Sequence, residues 1–204
     1  RRARVIASLR QDILSNGGHL DTGIFGTQFF FETLCDNGLN ELAYEAMNKR
    51  DYPSFGWWIE QGATTTWEQW NGENSRNHPM FGGSLVWFYR RVAGMNADPS
   101  RPGYRHIVFR PVPPDSLTFA RYDKATPYGE ASIEWRRTDG RFEMTVQVPV
   151  GCTATVWVPG ARSSDSVSTD VGRAGRDKNL SFEGIRDGYA VYEVRSGRYG
   201  FRVE

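Results

Sequence analysis

Hydrophobic periodicity changes once along this chain, near Ala97, and the change limits its fold to two architectures in tandem. Before it, apolar residues recur at helical spacing between short breaks. The expected helices are Arg2 to Ser15, stopped by Asn16-Gly17-Gly18; Thr27 to Asp36, stopped by Asn37-Gly38; Leu39 to Lys49; Ser54 to Gln61; and Pro79 to Ala93. Short connections make such helices pack as antiparallel hairpins. The last carries Phe81, Leu85, Val86, Phe88, Tyr89 and Val92 and is expected to be largely buried.

After Asp98-Pro99-Ser100-Arg101-Pro102-Gly103 the period becomes two. Ile133 and Trp135 alternate with polar neighbours, Asp139-Gly140 reads as a turn, and Phe142, Met144, Val146 and Val148 alternate again. Val156 and Val158 continue the series, and Tyr199, Phe201 and Val203 close it after an expected Ser196-Gly197 turn. The expected class is therefore α+β in tandem domains: helical hairpins over residues 1–97, a Pro/Gly linker over 98–105 and an antiparallel β-sandwich over 106–204.

The 204 residues, 39% of them hydrophobic, suffice to bury a core. A net charge of +1 with charges evenly scattered gives no basic face for nucleic acid and no polybasic run for a membrane. Cys35 and Cys152 fall in an expected helix and an expected turn of different halves, so no disulfide is expected. No Cys or His spacing matches a metal site and no Gly-rich loop follows a strand, so neither metal nor nucleotide cofactor is implied. The N-terminal stretch has helical periodicity at Val5, Ile6, Leu9, Ile13 and Leu14 rather than a signal peptide's apolar block, and the compartment is not legible.

Aromatic residues make up 14% of the chain, with seven tryptophans, and flat amphipathic rings suit the apolar faces of ring-shaped neutral partners such as sugars. The stretch TTTWEQWNGENSRNHPMFGG, from Thr64 to Gly83, concentrates the chemistry in a loop between helices: Glu68 stands among Trp67 and Trp70, with His78 beyond. A carboxylate there fits glycoside hydrolysis, which needs an acid and a base or nucleophile about the anomeric carbon. The competing readings are a solvent-facing Glu68, a His78 bonded to its own loop, and core packing for Trp57, Trp58, Trp67 and Trp70.

The runs GHLDTGIFGTQFF, YPSFGWWIEQGATTTWEQW and NHPMFGGSLVWFYR resemble the closing helices of the catalytic domain of bacterial α-L-rhamnosidases, glycoside hydrolase family 78. HIVFRPVPP, TPYGEASIEWRR and VPVGCTATVWVPG are similar to the β-sandwich that closes those enzymes. The resemblance implies part of an (α/α)6 toroid that hydrolyses terminal α-L-rhamnosides with inversion. It implies that Glu68 is the general base and that His78 binds the sugar; on physical grounds Trp67 and Trp70 are expected to wall the pocket, and Trp58 is a further candidate substrate-binding residue. The family's general acid lies earlier in the toroid, in sequence that would precede Arg1. Five helical segments do not close six hairpins, so the chain by itself is expected to be inactive and to self-associate. The expected partners are rhamnose-containing glycans or glycosides.

Two other readings compete. In one, the sandwich is a carbohydrate-binding module, with Trp135, Trp157 and Tyr189 as candidate platforms. In the other, the toroid acts on another sugar as a hydrolase or a phosphorylase, with Ser75 and Arg76 as weak phosphate ligands.

Overall fold

The computed structural model describes residues 1–163, 166–170 and 178–204. The chain separates into two compact units, Arg1–Trp87 and Phe88–Glu204.

The first unit holds α1 (Arg2–Ser15), α2 (Thr27–Asp36), α3 (Asn40–Met47), α4 (Phe55–Glu60), a 3-10 turn at Pro79–Ser84 and a single α-turn, α5 (Leu85–Trp87). The Asn-Gly stops act as expected. At the end of α2, Gly38 takes φ +75°, so the Leu39 N–H reaches back to the Leu34 carbonyl at 2.8 Å and the Gly38 N–H to that of Cys35 at 3.2 Å. The chain thereby reverses into α3, which packs on α2. Phe31, Leu34, Ala43, Ala46 and Trp87 are buried, and the Trp87 indole N–H donates to Asn40 Oδ1 at 3.0 Å.

In this unit α1 is mostly exposed, and the expectation for the last helix is corrected. Of the apolar positions of α1, only Ile13 is buried, and Val5 is 58% exposed. The last helix is not continuous: Gly82 and Gly83 sit in its 3-10 turn, and Phe88–Val92 closes with π-helical bonds, the Ala93 N–H meeting the Phe88 carbonyl at 2.8 Å. The change of winding turns Phe81, Trp87 and Val92 inward and leaves Leu85 and Tyr89 exposed.

The second unit begins at that π-turn, ahead of the expected boundary. The Val112 N–H donates to the Arg91 carbonyl at 2.7 Å, the Trp135 indole N–H to the Val92 carbonyl at 2.8 Å, and Tyr89 stacks on Tyr122 at 4.8 Å. Its strands are β1 (Met95–Ala97), β2 (His106–Phe109), β3 (Phe119–Thr126), β4 (Gly129–Thr138), β5 (Arg141–Pro159), β6 (Val167–Thr169), β7 (Leu180–Arg186) and β8 (Tyr189–Val203). Residues 98–105, expected as a linker, form the turn of the antiparallel β1/β2 hairpin, where Asp98 accepts the Ser100 N–H at 2.9 Å.

The sandwich follows from two long strands that belong to both layers. The first part of β5, Phe142 to Val148, lies between β4 and the end of β8, beyond which β6 pairs. Its second part, Thr153 to Pro159, lies alongside the start of β8, beyond which β7 pairs, and its other edge pairs with β2 over Thr153 to Val156. The register shifts between Val148 and Thr153, opposite Gly197 at φ +149°. Ser196-Gly197 is therefore a bend inside β8 rather than the expected turn, because a chain that stays paired across a corner needs a glycine there. Cys152 lies in β5 at that irregularity instead of in a turn; both cysteines are buried and no disulfide joins them. The sheet is antiparallel apart from the parallel β2/β5 pair. Alternation buries Ile133, Trp135, Met144, Val146, Val156, Val158, Tyr192 and Phe201.

Candidate active site

The segment between α4 and the 3-10 turn is an irregular loop drawn into a narrow hairpin. Ser54 caps α4, accepting the Trp57 N–H at 2.9 Å, and the Ala63 N–H returns to the Trp58 carbonyl at 2.9 Å, which ends the helix and releases the loop. Two rungs then join its arms. At the base, the His78 N–H donates to the Thr66 carbonyl at 2.8 Å and the Thr66 hydroxyl to the His78 carbonyl at 2.6 Å. Further out, the Glu68 N–H donates to the Ser75 carbonyl at 2.8 Å and the Ser75 N–H to Glu68 Oε2 at 3.2 Å. The Thr65 hydroxyl also bonds the Arg76 carbonyl of the opposite arm.

This hairpin stands on aromatic rings. Trp58, Trp67 and Phe81 form a buried cluster with Phe55, Trp57 and Trp70 packed against it. Trp58 lies 4.5 Å from Trp70, 5.7 Å from Trp67 and 5.1 Å from Phe81 between ring centroids. Each indole N–H that crosses the cluster finds a carbonyl: Trp58 Nε1 donates to Trp70 O at 2.9 Å, and Trp70 Nε1 to Thr22 O at 3.1 Å. The second bond ties the loop to the GHLDTG stretch. There buried His19 places Nδ1 3.0 Å from the Pro53 carbonyl and Nε2 3.1 Å from Asp51 Oδ2. Asp51 is held below the usual carboxylate range, first by its own backbone N–H and then by His19.

The structure thus brings Glu68, His78, Trp58, Trp67 and Trp70 together in one loop and its support, with different roles among the rings. Trp58 and Trp67 are 2% and 5% exposed, so they are floor rather than wall, while Trp70 is half-buried. Glu68 keeps 33% and His78 25% of its side chain exposed, and His78 Nδ1 lies 3.9 Å from Glu68 Oε2, beyond hydrogen-bond reach. Among the described residues, His78 Nε2 is buried with no hydrogen-bond partner. Also among the described residues, no group of three or more His, Cys, Asp or Glu side chains converges as a metal site, and no helix is long and apolar enough to cross a membrane.

Sequence reasoning passed over Thr66 and Gly72 and read Ser75 only as a weak phosphate ligand, although backbone and hydroxyl groups of all three fold the hairpin. The signal was the spacing of the Thr65-Thr66 pair from Asn77-His78, with the Asn71-Gly72 turn between.

The model of the bacterial alpha-L-rhamnosidase 6 hairpin glycosidase domain matches residues 1–92, and that of the bacterial alpha-L-rhamnosidase C-terminal domain matches residues 94–173. An alpha-L-rhamnosidase of Streptomyces avermitilis is 37% identical over 91% of this chain, which spans 18% of that protein. One from Alteromonas sp. is 32% identical over 86% of this chain, which spans 20% of it. Among solved structures, the alpha-L-rhamnosidase from Dictyoglumus thermophilum matches with a TM-score of 0.86 at 38% identity, over 98% of this chain and 23% of its own. The Streptomyces avermitilis alpha-L-rhamnosidase complexed with L-rhamnose matches with a TM-score of 0.84 at 35% identity, over 96% and 19%. Both halves of the sequence and both architectures point the same way, and the chain belongs to the bacterial alpha-L-rhamnosidase family.

Proposed function

We propose that the protein carrying this chain hydrolyses terminal α-L-rhamnosides with inversion, and that Glu68 is its general base. The observation that carries this reading is the way Glu68 is held. Its Oε2 is fixed by the Ser75 N–H on a loop braced over buried indoles, while a third of the side chain stays exposed. A carboxylate in a set direction, with solvent access on one side, is what water activation needs. In the step, a water oxygen bonds to the anomeric carbon as Glu68 takes its proton. The bond to the leaving oxygen breaks on the opposite face, where a second carboxyl protonates it. Inverting enzymes keep the two carboxyls roughly 6.5 to 9.5 Å apart. The general acid is assigned to no residue of this chain, so the chain by itself is expected not to turn over an aryl rhamnoside.

His78 is the proposed sugar-binding group: a buried ring nitrogen without a partner calls for one, and a sugar hydroxyl supplies it. The proposed ligands are rhamnose-containing glycans or glycosides, in line with the Streptomyces avermitilis enzyme complexed with L-rhamnose.

The binding-module reading loses its platforms. Trp135 is fully buried against Phe142, and Arg110 covers both Trp157, at 4.3 Å, and Tyr189, at 5.2 Å. The phosphorylase reading loses its ligands too, since the Arg76 guanidinium lies over Trp67 and the Ser75 hydroxyl accepts the Asn77 N–H.

The test is Glu68→Gln in the full-length enzyme. The near-isosteric amide accepts no proton, so kcat is expected to fall about 10²- to 10⁴-fold with KM close to wild type. A wild-type kcat overturns the assignment.

A further inference from the structure

We infer that Arg76 is a positioning residue for Glu68: its guanidinium, laid over Trp67 and bonded to the turn at Gly72, clasps the hairpin so that the Ser75 N–H stays on the Glu68 carboxylate. The inference rests on the reading of Glu68 as the base.

Arg76 is exposed as a residue, yet both its ends are engaged. Its carbonyl accepts the Thr65 hydroxyl, and its Nε donates to the Gly72 carbonyl at 3.1 Å. The guanidinium carbon lies 4.7 Å from the centroid of the Trp67 ring. Gly72 completes the clasp. It is buried at φ +78°, and a Cβ there would stand 2.7 Å from Trp67 Cζ3, 2.9 Å from Cε3 and 3.4 Å from Arg76 Nη2. Backbone, indole and guanidinium therefore meet at one point with no room for a further side chain.

The order of residues makes this contact bear on the carboxylate. Trp67 and Arg76 are the partners of the clasp; their immediate neighbours, Glu68 and Ser75, are the partners of the carboxylate bond. The Trp67/Arg76 pairing sets the separation of the two arms, and that separation decides whether the Ser75 N–H reaches Oε2 at 3.2 Å. A planar group is required: lysine offers neither a stacking plane nor a donor at the Nε position.

The first test uses the chain itself. Arg76→Ala is expected to speed amide hydrogen exchange at Ser75 and Glu68 by about tenfold or more relative to amides of α2, because the second rung opens more often. Unchanged exchange at both overturns the clasp. This readout does not depend on Glu68 being the base.

The second test uses the full-length enzyme. Arg76→Ala and Arg76→Lys are both expected to lower kcat by about 10- to 10²-fold with KM near wild type, the effect of a displaced reacting group. In a Glu68→Gln background, Arg76→Ala is expected to lower kcat no further, as the two changes act on one group. A raised KM with wild-type kcat makes Arg76 a sugar ligand and overturns the inference. Full recovery in Arg76→Lys makes it a bare charge and does the same. Should Arg76→Ala fail to fold, Arg76→Lys carries both measurements. If Glu68→Gln alone keeps wild-type kcat, the base reading fails while the exchange experiment still decides whether the clasp exists.

Discussion

Replacing Trp58 by phenylalanine tests whether the Glu68 hairpin stands on the indole cluster. Trp58 is 2% exposed and touches Trp67, Trp70, Phe55 and Phe81. Phenylalanine keeps a ring there but loses the N–H that donates to the Trp70 carbonyl at 2.9 Å. Leaving that carbonyl unpaired costs about 1–3 kcal/mol. The missing part of the side chain, roughly 40 Å³ at about 24 cal/mol per Å³, adds about 1 kcal/mol. The expected loss is therefore about 2–4 kcal/mol, which for a unit of this size lowers Tm by about 8 °C or more. The assay is urea denaturation of the chain followed by circular dichroism at the helical band, with Trp157→Phe as control. Trp157 is half-buried in the β-unit and carries Arg110 at 4.3 Å, so its loss is expected to cost less than about 1 kcal/mol. If Trp58→Phe costs no more than Trp157→Phe, the loop does not depend on the cluster and the reasoning fails.

His106, buried with its ring nitrogens 2.7 Å and 2.8 Å from the hydroxyls of Thr153 and Thr155, is pushed below the ordinary histidine range by burial and then by the Arg101 charge. With the folded value lowered, the unfolded chain takes the proton first. Stability from this group is complete above about pH 6.5 and is lost as pH falls from there toward the folded value, so the urea midpoint should fall more between pH 7 and 5 in the wild type than in His106→Asn. Gly94→Ala should cost more than about 2 kcal/mol in the β-unit, since Gly94 has φ +86° and a Cβ would lie 2.2 Å from the backbone nitrogen of Pro111; thermal unfolding followed by circular dichroism checks it. Phe25, Phe29 and Ile59 are 75%, 63% and 71% exposed, so the chain by itself should associate in sedimentation velocity and do so less as Phe29→Ser; a monodisperse wild type contradicts this.

What the sequence made legible follows from which interactions are local. The limits of α1 and α2 are as expected because Asn-Gly stops act within one turn of chain. Leu39 to Lys49 and Ser54 to Gln61 each lose their ends to caps, as at Ser54. From Pro79 the apolar spacing predicts one long helix, because spacing does not show where Gly82-Gly83 tightens the winding or where the π-turn loosens it. Ser196-Gly197 has the composition of a turn, and only the register with β5 shows that the strand continues through it. The parallel β2/β5 pair is a tertiary choice that four residues of β2 do not announce. At the site, Glu68 and His78 stood out by type and position. The Ser75 N–H that holds the carboxylate is a backbone group, and a sequence carries no mark of those.

The central claim is that Glu68 removes a proton from the attacking water, and chemical rescue tests it most directly. Azide needs no deprotonation, so in the full-length Glu68→Gln enzyme added azide should restore part of the lost kcat and yield a rhamnosyl azide of inverted configuration, read by proton NMR. Glu68→Gln turning over at the wild-type rate without azide, or an azide product that retains the substrate's configuration, contradicts the account.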